Sequence, residues 1–364
     1  MIVYFAWFVF AFTAIQFTVT IANLVFSTKL KKSGSVEKPL VSVLIPARDE
    51  EKNIGNILSD LVCQDYTNIE VLVFDDLSSD NTPEIVQEFA VDDDRVRLIG
   101  SGHLPSGWFG KNWGCHSLAL AASGKYFLFL DADVRAGNGL ISNALSYAEH
   151  YNLSLISVFP EQIIVTRGEM MTVPVMNYIL LSLLPLVLVR KSGMASLSAA
   201  NGQFMFFDSN TYRSLMPHEM MKNNMVEDIA IARYFKANGF KIACLTGDNS
   251  IQCRMYSGFS EAVNGFSKNV AAFFGNSLLL AFFFWIVTSV GFIFVLIALP
   301  AVVSVVYFSG YLLTRIIISR ISGQRITGSL LYLIPQQVSL GLFIWKSFIK
   351  KTLKSHRWKD RELT

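Results

Sequence analysis

Long apolar runs stand near both ends of the chain, and a stretch of mixed composition separates them. The runs cover residues 2–26, 278–299, 300–318 and 330–349. An α-helix of ~20 apolar residues can cross the ~30 Å hydrocarbon core of a bilayer, because it rises ~1.5 Å per residue. The pattern predicts an N-terminal transmembrane anchor over residues 1–28 and a C-terminal membrane region of two to three helices over residues 277–350.

The residues that flank the first run indicate its orientation. Lys29, Lys31 and Lys32 follow it, whereas no basic segment precedes it and no small-residue cleavage site closes it. This favours an uncleaved anchor over a signal peptide. Because basic flanks stay on the cytoplasmic side, we expect a multi-pass plasma-membrane protein with its middle domain in the cytoplasm.

The run at 330–349 has two possible placements. Three arginines between residues 315 and 325 precede it, and a basic tail over residues 351–364 follows it. Both flanks cannot be cytoplasmic if the run spans the membrane. Because Gln336 and Gln337 also interrupt it, two C-terminal spans and a re-entrant or interfacial helix are favoured, with a full span as the alternative.

Short apolar strands alternate with helices in the middle of the chain. The predicted strands cover residues 40–45, 69–74, 95–100 and 125–130. Residues 51–61 have helical spacing, and Thr82 is a candidate cap for a helix that has Pro83 in its first turn. Nearly continuous apolar strands that alternate with helices predict an α/β fold with a parallel sheet covered on both faces.

Polar residues gather where three of these strands end, the place where parallel sheets bind ligands. They are Pro46, Ala47, Arg48, Asp49 and Glu50 after the first strand, Asp75, Asp76 and Asp80 after the second, and Asp131 and Asp133 after the fourth. Asp80 alone is explained as a turn former or helix cap. The whole set concentrates negative charge, which a divalent cation or cationic partners would offset.

Composition limits the classes of protein that remain. The chain has 364 residues, of which 52% are hydrophobic and 16% charged, so it is too apolar for an ordinary soluble enzyme. A formal net charge of +3 gives no reason to expect nucleic acid as a partner. The four cysteines have no CxxC spacing, so neither a zinc site nor a disulfide framework is predicted.

The motifs of the middle domain resemble those of the family 2 nucleotide-sugar glycosyltransferases. The resemblance covers residues 40–269 and rests on four motifs in order: PARDEE at 46–51, DDLSSDNT at 75–82, DAD at 131–133 and ED at 227–228. It implies the GT-A fold, a Rossmann-like and mostly parallel sheet, over residues 38–270. Two positions depart from the family pattern, since Asp49 stands where Asn is usual and Leu77 where Gly is usual.

Two further segments resemble a narrower subgroup, whose members glycosylate carotenoid acids such as diaponeurosporenoate or carry hopanoid-associated transferase domains. These segments are GWFGKNWG at 107–114 and ANGQF at 200–204. The resemblance implies an inverting, metal-dependent hexosyltransferase that moves a sugar from a nucleotide diphosphate sugar to a lipophilic membrane acceptor, with UDP as the favoured nucleotide.

The family motifs also imply roles for individual residues. Asp131 and Asp133 would hold Mg²⁺ or Mn²⁺, with Asp131 also near the ribose. The nucleotide would be held by Pro46, Ala47, Arg48, Glu50, Asp75, Asp76, Lys111, Asp131 and Arg254. Asp228 would be the general base, opposite the leaving group.

These roles have plainer alternatives. Glu227 and Asp228 could merely complement a helix dipole. Arg254 could be a surface arginine, Lys111 could be an ordinary solvated lysine in a flexible loop, and His116 is expected to be packed.

An apolar segment at residues 173–191 lies inside the middle domain. It is short for a span and ends at Arg190 and Lys191, so an interfacial helix that brings a membrane acceptor to the site is favoured over a buried helix. Two other functions stay open: a non-catalytic nucleotide-sugar-binding membrane protein and a lipid-transport accessory subunit. The latter would be expected to have more spans with polar residues in them.

Overall fold

A computed structural model describes residues 1–26, 29–30, 38–100, 102–353, 357–358 and 361–362. The flanking Lys31 and Lys32, and much of the basic tail over 351–364, lie outside the described residues. The chain divides into two compact units. One comprises residues 28–161 and 186–253 and is called the sheet unit here; the other comprises residues 1–27, 162–185 and 254–364 and is called the helical unit.

The secondary structure is as follows. The strands are β1 Val41–Ala47, β2 Ile69–Asp75, β3 Val96–Gly100, β4 Tyr126–Leu130, β5 Val134–Ala136, β6 Leu155–Phe159, β7 Glu161–Gln162, β8 Phe204–Asp208, β9 Ile242–Thr246, β10 Ile251–Cys253, β11 Arg357–Trp358 and β12 Arg361–Glu362. The α-helices are α1 Ile2–Val25, α2 Ile54–Val62, α3 Thr82–Asp92, α4 Gly110–Ala121, α5 Leu140–Tyr151, α6 Arg167–Thr172, α7 Pro174–Leu183, α8 Leu186–Lys191, α9 Ser209–Leu215, α10 Pro217–Met220, α11 Glu227–Ala237, α12 Phe259–Asn269, α13 Leu278–Ala298, α14 Ala301–Ile321, α15 Ile326–Leu331 and α16 Leu333–Leu353, with a 3₁₀ helix at Val270–Phe274.

The sheet unit contains one seven-stranded sheet in the order β3-β2-β1-β4-β8-β6-β9. Strands β3, β2, β1 and β4 run parallel, as do β6 and β9, whereas β8 is antiparallel to both of its neighbours. All four predicted strands are present within one or two residues of their expected bounds. The order confirms the predicted mostly parallel α/β sheet, and the ends of β2, β1 and β4 share one edge.

Helices α2 and α3 follow the first two strands. The predicted apolar face of α2 is confirmed, because its isoleucines and leucines at 54, 57, 58 and 61 are fully buried. The predicted cap of α3 is wrong: Asn81 holds that position and Thr82 is already helical. The Thr82 hydroxyl accepts a hydrogen bond from the Glu50 amide at 2.8 Å instead, so it joins the loop after β1 to the start of α3.

The helical unit packs α1 against α13 and α14 through small and branched side chains. The buried cluster consists of Ala6, Val9, Val287, Val295, Leu299 and Tyr307. A Cβ added to Gly291 of α13 would lie 2.8 Å from a methyl carbon of Val9, which is closer than real contacts allow. Glycine is therefore required for α1 and α13 to approach this closely.

Among the residues that the structure describes, three helices are long and apolar enough to cross a membrane, namely α1, α13 and α14. They match the first three apolar runs, and α14 continues three residues beyond the expected end of its run. α16 occupies the fourth run but is not among the three. Its placement, the orientation of the spans and the cytoplasmic position of the sheet unit stay predictions.

The segment at 173–191 forms two helices. Residues 174–182 of α7 are all buried, and α7 packs against α1, α14 and α16 within the helical unit. At the end of α1, the Asn23 amide donates to the carbonyl oxygens of Leu181 and Leu184, both at 3.0 Å. The interfacial prediction is therefore wrong for α7, because neighbouring helices cover its apolar side chains. For α8, which belongs to the sheet unit, it stays a prediction.

Leu77 is strained in the loop between β2 and α3. Its φ is +54°, and 52% of its surface is exposed. A side chain in the left-handed region costs roughly 1–2 kcal/mol, and glycine avoids most of that cost. Since little packing is lost, we expect Leu77→Gly to raise the thermal unfolding midpoint of the detergent-solubilised chain by about 1–3 °C.

The matched control is Leu77→Ala, which shortens the side chain but keeps a Cβ at the same φ. It should leave the midpoint nearly unchanged. An equal rise in both variants would show that loss of the exposed leucine side chain, rather than relief of backbone strain, is responsible.

Candidate active site

The loops after β1 and β2 are bound to each other at the carboxyl edge of the sheet. Arg48 donates to the Asp76 carbonyl oxygen at 2.8 Å, and its guanidinium lies 3.5 Å from the Asp76 carboxylate. The Asp76 amide donates to the Ala47 carbonyl oxygen at 2.9 Å, and Asp76 is only 4% exposed. Ala47 also pairs with Asp75 in the register of the two strands. The structure thus brings together the sequence-predicted residues after both strands.

Asp49 and Asp80 form further hydrogen bonds between the same two loops. Asp49 has a φ of +52°, and its carboxylate accepts from the Ser79 amide at 2.7 Å. Asp80 accepts from the Glu51 amide and from the amide and hydroxyl of Thr82. Burial opposes its ionisation, but these donors outweigh that effect and lower the pKa of Asp80. The structural interpretation of Asp80 is therefore supported.

Asp131 and Asp133 follow β4, the neighbour of β1. Asp133 is half-buried, but its Oδ1 atom is fully buried and has no hydrogen-bond partner among the described residues. Burial, followed by the charges of Asp131 and Glu50, raises the pKa of Asp133 to about 7, although the Cys253 thiol hydrogen-bonds to it. The loop after β1 and the DAD motif are thus close enough to interact electrostatically.

Lys111 supplies a positive charge among these carboxylates, and the cluster is defined here as Lys111 with Asp131, Asp133, Glu227 and Asp228. Its Nζ lies 2.8 Å from Asp131 Oδ1 and 3.4 Å from Glu227 Oε1. Burial opposes its charge, but Asp131 and Glu227 outweigh burial and hold the pKa of Lys111 well above its usual value. The expected flexible loop is wrong, because Lys111 lies in the first turn of α4. That turn is fixed by the Phe109 amide, which donates to the Lys222 carbonyl oxygen at 2.8 Å.

The ANGQF segment, which leads into β8, forms hydrogen bonds with residues in and beside the cluster. The Gly202 amide donates to Asp228 Oδ2 at 3.0 Å, and the Gln203 amide group donates to Cys253 Sγ at 2.8 Å. A Cβ on Gly202 would stand 3.1 Å from Lys111 Nζ and 3.4 Å from Glu227 Oε1. A side chain at residue 202 would therefore crowd the ion pairs.

Asp228 lies in the first turn of α11, beside Glu227. Its two oxygens accept from the amides of Gly202 and Ile229, the latter at 2.7 Å. Burial first, and then the neighbouring charge of Glu227, raise the pKa of Asp228 to about 7 despite these donors and Lys111. A helix-dipole role explains the position on α11 but not why a buried carboxylate, Glu227, stands next to the half-buried carboxylate of Asp228.

The residues present fit a divalent cation only in part. Within the described ranges, no group of three or more histidine, cysteine, aspartate or glutamate side chains is arranged to hold a metal. The orphaned Asp133 Oδ1 and the adjacent Asp131 supply hard oxygen donors that suit Mg²⁺ or Mn²⁺. A cation there would draw its remaining ligands from substrate oxygens and water.

Arg254 belongs to the helical unit, unlike the other predicted site residues. Its Nη2 lies 2.8 Å from Glu169 Oε1, and Glu169 is fully buried at the start of α6. Glu169 also closes a capping box with Thr166. Arg254 thus has a structural partner, and its contact with a diphosphate stays a prediction.

Comparisons with known proteins agree with this arrangement. Residues 42–205 match the model of the family described as glycosyl transferase family 2. The chain carries a family 2 glycosyltransferase domain. This confirms the predicted family. The matched range includes the PARDEE, DDLSSDNT, DAD and ANGQF motifs, whereas the ED motif at 227–228 lies outside it.

Individual relatives are more distant. The 4,4'-diaponeurosporenoate glycosyltransferase of Staphylococcus haemolyticus is 26% identical over 66% of this chain and 63% of its own length. The GalNAc(5)-diNAcBac-PP-undecaprenol beta-1,3-glucosyltransferase of Campylobacter jejuni is 30% identical over 36% of this chain and 41% of its own length. The chain thus spans less than two thirds of either relative. The first name agrees with the subgroup resemblance of GWFGKNWG and ANGQF.

A solved structure supports the fold. The mannosyltransferase of Pyrobaculum calidifontis, in complex with GDP-Man and Mn²⁺, superposes with a TM-score of 0.52 over 96% of this chain and 100% of that one, at 15% identity. This likeness confirms the GT-A fold.

Sequence reasoning missed two features of the site. Cys253 was considered only for metal and disulfide patterns, yet it bonds to both Gln203 and Asp133. His218 is 2% exposed and shares a 2.6 Å hydrogen bond with the Tyr212 hydroxyl, while burial lowers its pKa to about 3. His218 belongs to no motif, and Cys253 lies in the QCRMY segment at 252–256, where the family resemblance points to its neighbour Arg254. His116 is packed as expected, beside the rings of Trp108 and Trp113.

Gly202 provides a test of the ion pairs that does not depend on any activity. Gly202→Val would push Lys111 away from Asp131 and Glu227, which would lower the lysine pKa and expose the amine. We expect acetylation of Lys111 by acetic anhydride, followed by mass spectrometry, to become about tenfold faster for each unit by which that pKa falls.

The control is Gly193→Val, since a Cβ at Gly193 meets no atom within 4 Å. The exposed Lys52 serves as the internal reference. Unchanged acetylation of Lys111 in Gly202→Val would contradict the close packing of residue 202 on the ion pairs.

Proposed function

We propose that the chain is an inverting glycosyltransferase that moves a sugar from a nucleoside diphosphate sugar, UDP being the favoured nucleotide, to a lipophilic membrane acceptor. The observation that carries the proposal is the cluster of carboxylates around Lys111, in which Asp131, Asp133 and Asp228 are half-buried and Glu227 is buried. The names of two relatives support the acceptor class, since one names a carotenoid acid and the other a polyprenol diphosphate.

Each motif has one task in this proposal. Arg48, Glu50, Asp75 and Asp76 bind the base and ribose, with the backbone of Pro46 and Ala47 forming the pocket wall. Asp131 and Asp133 hold Mg²⁺ or Mn²⁺, which neutralises the charge of the leaving diphosphate when bound. Lys111 adds positive charge beside Asp131, and Arg254 is proposed to approach the diphosphate.

Asp228 is proposed as the general base. The acceptor oxygen forms a bond to the anomeric carbon, while the bond from that carbon to the diphosphate oxygen breaks and the configuration inverts. Asp228 receives the proton of an acceptor hydroxyl or carboxylic acid. An acceptor that is already a carboxylate has no proton to give, and Asp228 then orients it. A pKa near 7 suits proton transfer at neutral pH.

The membrane arrangement is also part of the proposal, and the apolar runs and basic flanks of the sequence support it. We propose that α1, α13 and α14 anchor the protein in the plasma membrane and that the sheet unit is cytoplasmic, where nucleotide sugars are available. A multi-pass anchor would hold the enzyme beside an acceptor that does not leave the bilayer.

The first test is release of nucleoside diphosphate by the full chain in lipid nanodiscs, across UDP-, GDP- and TDP-sugars with Mg²⁺ or Mn²⁺. Asp228→Asn keeps the shape of the side chain and removes the base, so turnover with a hydroxyl acceptor should fall about 10²–10⁴-fold. Binding of the nucleotide should change little.

The control is Asp208→Asn, because Asp208 caps α9 and has no proposed role in the reaction. Nucleotide binding without turnover under every condition, and with no effect of Asp133→Ala, would favour a non-catalytic binding protein. Neither binding nor turnover would favour a lipid-transport accessory role.

The pH profile gives a second test. The folded-state pKa of Asp228 is raised, so the active carboxylate is present above about pH 7 and is lost as pH falls through that value. With a hydroxyl acceptor we expect the turnover rate to fall about tenfold per pH unit on the acid limb.

Glu227→Gln removes the neighbouring charge that helps to raise the Asp228 pKa. The acid limb should therefore move to lower pH in this variant, even if the maximal rate decreases through loss of the Lys111 contact. A limb that stays in place would assign the titration to another group.

A further inference from the structure

The helical unit contains an aromatic cavity of about 420 Å³ between α13, α14 and α16. Its lining includes Trp285, Phe292, Tyr307, Phe308, Tyr311 and Gln337. Two of the three helices, α13 and α14, are candidate membrane spans. The cavity therefore offers a place for hydrocarbon at the depth of the bilayer.

A buried arginine lies next to this cavity and contacts Tyr311, one of the residues that line it. Arg315 of α14 is only 4% exposed, and it forms no ion pair with any carboxylate in the part of the chain that the structure describes. Its guanidinium donates to Tyr311 Oη at 3.2 Å and to Gln336 Oε1 at 3.4 Å, and it stacks 3.5 Å from the centre of the Tyr178 ring. Its Nε has no acceptor among those residues.

These contacts leave the charge of Arg315 without an anion. The neutral oxygens of Tyr311 and Gln336 and the ring of Tyr178 stabilise a guanidinium, but they do not neutralise it. A charged side chain within a membrane segment is costly and marks a functional site by default. An anionic group from outside the chain would offset this cost.

The order of residues along α14 gives the site a direction. Tyr307, Tyr311 and Arg315 are spaced four residues apart and lie on one face of the helix. Arg315 lies ~9 Å before the helix end at Ile321, whereas Tyr307 lies ~12 Å deeper along the axis. A head group near the membrane interface would meet Arg315, and a chain attached to it would follow the tyrosines towards the middle of the bilayer.

Two hydrogen-bond donors in the cavity wall favour an acceptor-rich head group. Tyr311 Oη accepts from Arg315, so its own hydrogen remains available for another acceptor. Gln337 Oε1 accepts from the Ser289 hydroxyl at 3.0 Å, while Gln337 Nε2 has no acceptor within the described residues. Both groups can donate to a carboxylate or a phosphate, and neither requires a donor from the ligand.

We propose that this cavity binds a long-chain membrane lipid with an anionic terminus, a carboxylate or a phosphate. The terminus is held by Arg315 and the Tyr311 hydroxyl, and the hydrocarbon lies along Phe308, Tyr307 and Phe292. The inference rests on the proposed function, because such a lipid is the acceptor class of that transferase. Arg315 and Tyr311 would then determine which acceptors are recruited.

The test is equilibrium binding of tritiated all-trans retinoic acid to the full chain in phosphatidylcholine nanodiscs, with empty nanodiscs subtracted. Retinol is the matched neutral probe. We expect saturable binding of retinoic acid, a loss of about tenfold or more in affinity in Arg315→Gln, and a smaller loss in Tyr311→Phe, because each change removes a donor to the anion.

Arg320→Gln is the control variant, since Arg320 lies in the last turn of α14 and is exposed. It should bind retinoic acid as the wild type does. Tyr311→Phe keeps the aromatic ring, so it also tests the site if Arg315→Gln fails to fold. Equal affinity for retinoic acid and retinol, or wild-type affinity in Tyr311→Phe and a folded Arg315→Gln, would overturn the proposal.

Competition by farnesyl phosphate identifies the head group. Stronger competition than by unlabelled retinoic acid would assign a phosphate terminus, and weaker competition a carboxylate. Competition by farnesol as strong as by farnesyl phosphate would count against any anionic head.

Donor turnover separates this inference from the proposed function. If retinoic acid binds through Arg315 while no nucleotide sugar is ever turned over, the lipid site stands and the transferase proposal fails. If lipid-stimulated nucleoside diphosphate release is the same in wild type and Arg315→Gln, the transferase proposal stands and the lipid site is wrong.

Discussion

The candidate active site depends on one half-buried cation among several carboxylates. Lys111 contacts Asp131 and Glu227 directly. Loss of contact with water, and then the charges of those two neighbours, raise the pKa values of Asp133 and Asp228 to about 7. One lysine carries a single positive charge, so it cannot neutralise all four carboxyl groups. The remaining repulsion matters, because two unit charges 4 Å apart interact by about 4 kcal/mol at an effective dielectric of 20. The site retains a deficit of positive charge, which a divalent cation bound with its substrate would remove.

The position of Lys111 shows where sequence reasoning ends. Strand ends and the order of the four motifs could be predicted, because apolar periodicity and strand-end chemistry are local properties of the chain. The partners of Lys111 could not, because Asp131 and Glu227 come from distant elements that only the sheet order brings together. The same limit applies to Arg254 and to α7: Glu169 and the helices around α7 are tertiary partners that no pattern near those residues reveals.

The two departures from the family pattern have related explanations. Asp49 and Leu77 both have a positive φ, a conformation that Asn and Gly adopt more easily than most residues. The departures therefore leave the loop geometry in place at an energetic cost. At Asp49 that cost is partly offset, because its carboxylate accepts from the amide and hydroxyl of Ser79. Leu77 has no comparable compensation, since half of its surface is exposed. A departure in residue type thus does not by itself mean a lost nucleotide pocket.

The sequence and the structure suggest different roles for Arg315. As one of three arginines after an apolar run, it is naturally interpreted as a cytoplasmic flank. The helix instead continues to Ile321, and Tyr178 and Gln336 pack around the guanidinium. A flanking arginine is stabilised by water and lipid head groups, whereas a buried one must be stabilised by its neighbours. Neutral neighbours alone do that incompletely, which is why the charge of Arg315, like the carboxylates of the sheet unit, is best explained by a ligand of opposite sign.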